Sequence, residues 1–167
     1  YKTEETVLLF FDSIVIGKTC EIFTQVESEE GNTRFIVKFP IHSLDSGVQM
    51  RDEDVTEMLT VKSNSNIIFV SDFLTDDQIR SALNNGKSNL GGMLKITDKT
   101  YKVIFPLKLS EYSGTWLVTG KLVTSLSQFG LELPSVLAGV IADTRDYLEL
   151  LVHLRFTLVQ GVPVLNL

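Results

Sequence analysis

At 167 residues the chain has the length of one domain and room for a substantial core, and its 44% hydrophobic and 22% charged content is that of an ordinary globular protein. A net charge of −6 gives the chain as a whole no attraction to nucleic-acid phosphates or to an anionic bilayer, both of which want clustered Lys and Arg. Cys20, the one cysteine, excludes an intrachain disulfide, and the longest apolar run, residues 7–16, is interrupted by Asp12-Ser13 and falls far short of the ~20 residues needed to span a membrane.

The chain opens at Tyr1 with no initiator Met and no signal peptide, which reads as a processed, exported protein. Residues 1–6 read as a polar lead-in and residues 7–16 as a strand ended by Gly17-Lys18. Residues 20–27 alternate as a second strand, and the charged stretch 28–32, with Gly31, reads as a turn. Residues 34–39 then put Phe35, Val37 and Phe39 on one face and Arg34, Ile36 and Lys38 on the other, completing a three-stranded meander.

The pattern changes at Pro40. A loop gives way to helical spacing, with Val55, Met58, Leu59 and Lys62 at i, i+3, i+4 intervals. Asp52-Glu53-Asp54 precede that stripe and suit the positive end of a helix dipole; a Ca²⁺ loop would want further oxygen ligands and a sharp Gly turn. A short apolar strand covers 67–70. Thr75 and Gln78 have the spacing of a capping box, and Asn85-Gly86 supplies a stop, so a helix is expected from Asp76 to about Asn84.

The stretch 89–109 is the most informative. Leu94 and Ile96 alternate with Lys95 and Thr97; after Asp98-Lys99, Tyr101, Val103, Phe105 and Leu107 alternate with Lys102, Ile104 and Lys108. This is an antiparallel hairpin with one apolar and one wet face, joined by a turn that lacks Asn-Gly or Asp-Gly. Residues 115–126 form a further strand holding Trp116, and 128–143 reads as irregular with one helical turn at 135–138. The last strand sets Leu148, Leu150, Val152, Leu154, Phe156 and Leu158 against Glu149, Leu151, His153, Arg155 and Thr157. About eight strands and one or two short helices give an all-β fold, an antiparallel barrel closed to hide its edges and wide enough for packed side chains or one small ligand.

No residue announces a reaction. Gly86-Lys87-Ser88 lacks the glycine a phosphate-binding loop needs five residues earlier, where Ser81 stands, and it follows a helix rather than a strand. Gly86-x-Ser88 misses a nucleophile elbow because Gly91 comes one place late. His42 and His153 read as solvent-facing, and with Cys20 they cannot build a Cys/His zinc site unaided. Cys20 itself reads as a small hydrophobe. No metal and no catalytic residue is expected; an enzyme would require a polar cluster inside the barrel.

Several segments together resemble the YceI-like family of bacterial lipocalin-like barrels. These are Ser46-Gly47 followed by Arg51-Asp52 at a helix start; Ile67 through Ser71 as an I-x-F-x-S-type strand; Gly92, Leu94 and Ile96; Val103-Ile104-Phe105-Pro106; Phe129-Gly130; and the strand from Tyr147 to Val159. The likeness covers residues 35–159, while the hairpin turn Ile96-Thr97-Asp98-Lys99-Thr100 departs from the family's. It implies one lipocalin-like barrel over 1–167 that binds an apolar lipid, a polyisoprenoid, as a carrier or buffer in the periplasm or outside the cell. Phe35, Val37, Phe39, Phe69, Leu94, Ile96, Val103 and Phe105 would then line the pocket. No nucleic-acid partner is implied, and pairing as a homodimer stays open. The alternative is a solid, ligand-free barrel whose helix at Asp76 and turns at Gly31, Asp98 and Gly114 recognise a protein.

Overall fold

The computed structural model describes residues 2–7, 11–16, 18–19, 21–59, 65–131, 136–137, 140–159 and 162–165. Its strands are β1 (Lys2–Val7), β2 (Phe11–Ile16), β3 (Phe23–Glu29), β4 (Asn32–Pro40), β5 (Asn66–Ser71) and β6 (Leu74–Thr75), then β7 (Lys87–Ile96), β8 (Lys99–Tyr112), β9 (Thr115–Thr124), β10 (Val136–Leu137), β11 (Val140–Val159) and β12 (Val162–Leu165). Two α-helices, α1 (Gln49–Leu59) and α2 (Asp76–Asn85), and 3-10 turns at Ile41–Ser43 and Ser127–Phe129 complete it.

The strands form one antiparallel sheet in the order β2-β1-β11-β9-β8-β7-β5-β4-β3, with β6, β10 and β12 pairing off this path. The sheet curls into a lipocalin-like barrel. Lys18 and Asp45 exchange backbone hydrogen bonds of 3.0 and 2.9 Å, tying the chain after β2 to the chain after β4 and so drawing the ends of the path together. Alternation assigns the faces: on β8 Val103 and Phe105 are buried while Lys102, Ile104 and Pro106 are exposed.

Two-residue turns close the hairpins. Glu30-Gly31 (φ 49 and 77) joins β3 to β4, and Ser113-Gly114 (φ 51 and 79) joins β8 to β9; positive φ at both positions matches the right-handed twist of the strands. Thr97-Asp98 joins β7 to β8, with Thr97 at φ 57.

Several expectations need correction. Lys2–Val7 is a strand, not a lead-in, hydrogen-bonded on both sides to β2 and β11. Of the strand expected at 7–16, Val7 belongs to β1 and Phe11–Ile16 form β2, while 8–10 lie outside the described residues. An apolar pattern misses such a strand because the backbone ladder recruits it, and Thr and Val suit the extended backbone. Val136–Leu137, inside the expected helical turn, pairs with Val140 and Ile141 as a strand; Ser135 and Ala138 lie outside the described residues, as do Cys20 and Lys62. The last strand starts at Val140 rather than Leu148 and is followed by β12.

The two helices follow the expected signals. At α2, Thr75 Oγ1 accepts from the Gln78 N–H at 3.2 Å, Gln78 Oε1 accepts from the Thr75 N–H at 2.8 Å, and Gly86 ends the helix at φ 64. At α1, Val55 and Leu59 are the buried positions.

Candidate functional site: the barrel interior

The interior divides into a filled half and an accessible half. At the end where β4, β9 and the β7–β8 turn finish, segments outside the strands plug the barrel. Ile41, with no exposed surface, and Leu44 come from the turn after β4, Val55 and Leu59 from α1, and Leu126 and Phe129 from the turn after β9. They pack with Ile67, Leu94, Ile96, Val103, Phe105 and Leu148 from four strands into one core. Tyr101 and Phe129 meet edge to face at 5.0 Å and 88°, and the Tyr101 hydroxyl donates to the Phe129 carbonyl, which fastens this plug to β8.

Two glycines let the wall close. A Cβ on Gly92 would stand 2.4 Å from the Val70 carbonyl and 2.7 Å from the Phe69 ring, so glycine allows Phe69 to lie across β7. That ring then meets Phe105 edge to face at 5.4 Å and 81°. A Cβ on Gly120 would meet Leu107 at 2.5 Å.

Towards the other end, where α2 and the β3–β4 and β8–β9 turns lie, the same inward positions are only half-buried. Phe35 and Val37 on β4, Leu109 on β8, and Leu154 and Phe156 on β11 form this lining, with Leu107 at the boundary, half-buried and packed against the core. Trp116 stacks on Phe156 at 6.3 Å and 12°, directly across the β9–β11 ladder. The Ser71 hydroxyl, buried on this side, accepts from the Phe35 N–H at 2.8 Å and donates to the Asp72 carbonyl at 2.9 Å, so its one donor is already used within the protein. A surface of this kind can hold an apolar chain and discriminate it by length and shape, since it has little to say to a polar one.

All eight residues expected to line the pocket lie on inward positions, but they do not share one role. Leu94, Ile96, Val103 and Phe105 belong to the filled core, with Phe39 and Phe69 packed against it. Phe35 and Val37 alone reach the accessible half. Leu107, Leu109, Trp116, Leu154 and Phe156 were missing from that set, although the alternation that found β8 and β11 marks four of them as well.

Tyr101 lies in the plug and Glu111 at the rim opposite Trp116, whereas the histidines and the acidic residues at the start of α1 stand outside this interior. His42 and His153 are exposed on separate elements, His153 opposite Thr119 on the outer face of the β9–β11 ladder. The acidic residues at the start of α1 are turned on the backbone and on a neighbour: Asp52 Oδ1 accepts from the Ser46 N–H at 2.9 Å, Asp45 Oδ1 from the Gly47 N–H at 2.7 Å, and Glu53 from Gln49 at 2.9 Å. This is helix-start chemistry, as the spacing implied. Asp146 accepts hydrogen bonds from both the hydroxyl and the N–H of Ser127, which hold its carboxyl below the ordinary value of 3.8. Glu149, almost fully buried between β9 and β11, is ion-paired with Lys121 and accepts from the Tyr147 hydroxyl.

The YceI-like domain family model matches residues 6–156. Among solved structures, the YceI protein of Campylobacter jejuni is 13% identical, with a TM-score of 0.66 over 87% of this chain and 85% of its own. BcnA of Burkholderia cenocepacia is 19% identical, with a TM-score of 0.63 over 93% of this chain and 96% of its own. These likenesses are of fold. No curated protein sequence matches the chain.

Proposed function

The chain belongs to the YceI-like domain family, and from that premise we propose that its barrel holds the hydrocarbon part of a lipid, an isoprenoid chain, as a non-enzymatic carrier or buffer in the cell envelope. The observation that carries this reading is the division of the interior. One end is sealed by Ile41, Leu44 and Phe129, whereas the apolar wall formed by Phe35, Leu109, Leu154 and the Trp116–Phe156 stack keeps accessible surface. Apolar wall left accessible to water is unfavourable, and an occupant without hydrogen-bonding groups removes that cost. Each five-carbon unit buried there contributes about 3–4 kcal/mol gross, before ordering costs.

Native mass spectrometry of protein purified gently from its own host, followed by organic extraction, tests the proposal. A bound mass that fragments in five-carbon steps is the expected result. A bare polypeptide mass with an empty extract would overturn it. The filled half favours a second reading, a ligand-free barrel whose α2 rim recognises a protein; retention of every partner by a protein lacking α2 would remove that one.

A further inference from the structure

The outer wall of β7 and β8 carries a pattern that neither the core nor the cargo explains. Residues 87–124 hold six lysines and two acidic residues, a net charge of +4 in a chain whose total is −6. The alternation that sends Leu94, Val103 and Phe105 inward sends Lys87, Met93 and Lys95 of β7, and Lys102, Ile104 and Lys108 of β8, outward. Lys87 stands directly opposite Lys108, and Met93 opposite Lys102. Lys95 stands opposite Ile68, which is in turn opposite Lys38, so the outer row continues onto β4. Ile104 is 55% exposed and Met93 41%.

Like charges placed directly across a ladder destabilise a sheet. Among the described residues no carboxylate forms an ion pair with Lys38, Lys87, Lys95, Lys102 or Lys108. Nor does guarding an edge account for Lys38, Lys95 and Lys108, each of which is paired on both sides within the sheet. From Lys102 to Lys108 the wall runs about 20 Å along one strand. It therefore presents a convex array of cations with aliphatic side chains between them and an acidic neighbour, Asp72, over Gly91 opposite Ile104.

We propose that this wall docks the protein on an anionic lipid bilayer, with the lysines at the headgroup phosphates and Ile104 and Met93 entering the interface. Charge complementarity selects the partner: a chain that is acidic elsewhere is repelled by such a surface in every orientation but this one. Cations interleaved with aliphatic side chains are also the composition of surfaces that lie on membranes. The row ends on β3 at Phe23, directly opposite Lys38 and 61% exposed, an aromatic side chain of the kind found on the apolar face of membrane-surface segments. Docking complements the carrier reading, since a lipid cargo has to come from a bilayer, but its test does not depend on that reading.

The test is co-sedimentation of the full chain with phosphatidylcholine vesicles, with and without phosphatidylglycerol. Binding is expected only when phosphatidylglycerol is present, and it weakens as salt shortens the screening length. Changing Lys102→Glu together with Lys108→Glu lowers partitioning at least about tenfold, with circular dichroism unchanged, and Ile104→Ser lowers it several-fold. Arg80→Glu, the same kind of charge change on α2, leaves it unaltered. The proposal is overturned if vesicles of both compositions bind alike or not at all, or if Arg80→Glu and Lys102→Glu act equally. Retention on an acidic polypeptide but not on vesicles also overturns it and assigns the wall to a protein partner. Protein that yields no extractable lipid yet binds phosphatidylglycerol vesicles leaves docking standing and removes only the cargo.

Discussion

Asp146 and Gly92 show how single residues shape the plug and the wall. Asp146 is exposed, yet it fixes the 3-10 turn that carries Phe129 into the plug, by accepting from both donors of Ser127. Those bonds favour the anion, so the folded value lies below the ordinary one. The sign follows: the stabilisation is complete above the ordinary carboxylate range and is lost as pH falls through the lowered folded value. In an NMR titration the Ser127 amide should shift with a midpoint below 3.8, and Asp146→Asn should abolish the shift. Gly92 and Gly91 are neighbours with different tolerances. A Cβ at Gly92 strikes a carbonyl of the adjacent strand, whereas one at Gly91 strikes only the end of the exposed Asp72 side chain. Gly92→Ala should cost about 1–3 kcal/mol in urea unfolding and Gly91→Ala well under half of that.

At the scale of elements, the hairpin turns carry strain that sequence choice could relieve. Glu30 sits at φ 49 in an exposed position of a turn that prefers Asn-Gly. Glu30→Asn should raise the stability of the β3–β4 hairpin by about 0.5–1 kcal/mol, measured as a shift of the unfolding midpoint at constant slope. Helix α2 was legible to within a residue because its signals are local: a capping box at one end and a left-handed glycine at the other. Strand β1 was not legible, because its membership depends on β2 and β11, the latter more than 130 residues away in the chain. The irregular reading of 128–143 failed for the same reason at its end, where β11 is already paired with β1 and β10 before its apolar alternation begins.

For the whole molecule the division of the barrel makes unequal demands on equally apolar residues. Ile41→Ala, at the centre of the plug, should destabilise by about 2–4 kcal/mol, because it opens a cavity among residues held from several elements. Leu154→Ala, on the half-buried wall, should cost less than about 1.5 kcal/mol. Equal losses for the two in denaturant titrations would mean that the far half of the interior is as tightly filled as the plug.

The period of two along 94–107 and 148–156 determined that these segments are strands, which side of each is apolar, and that the sheet must curl to hide it. The spacing of Thr75, Gln78 and Gly86 determined α2. These are short-range properties, set by where each Cβ points and by which local groups satisfy the backbone. The tertiary structure alone decided which half of the interior is filled, because that depends on Ile41, Leu44 and Phe129 arriving from turns distant in the chain. It also decided that Lys38, Lys87, Lys95, Lys102 and Lys108 would gather on one wall of an acidic protein. Net charge sums over the chain without regard to place, whereas strand register brings cations that are far apart in sequence onto one face.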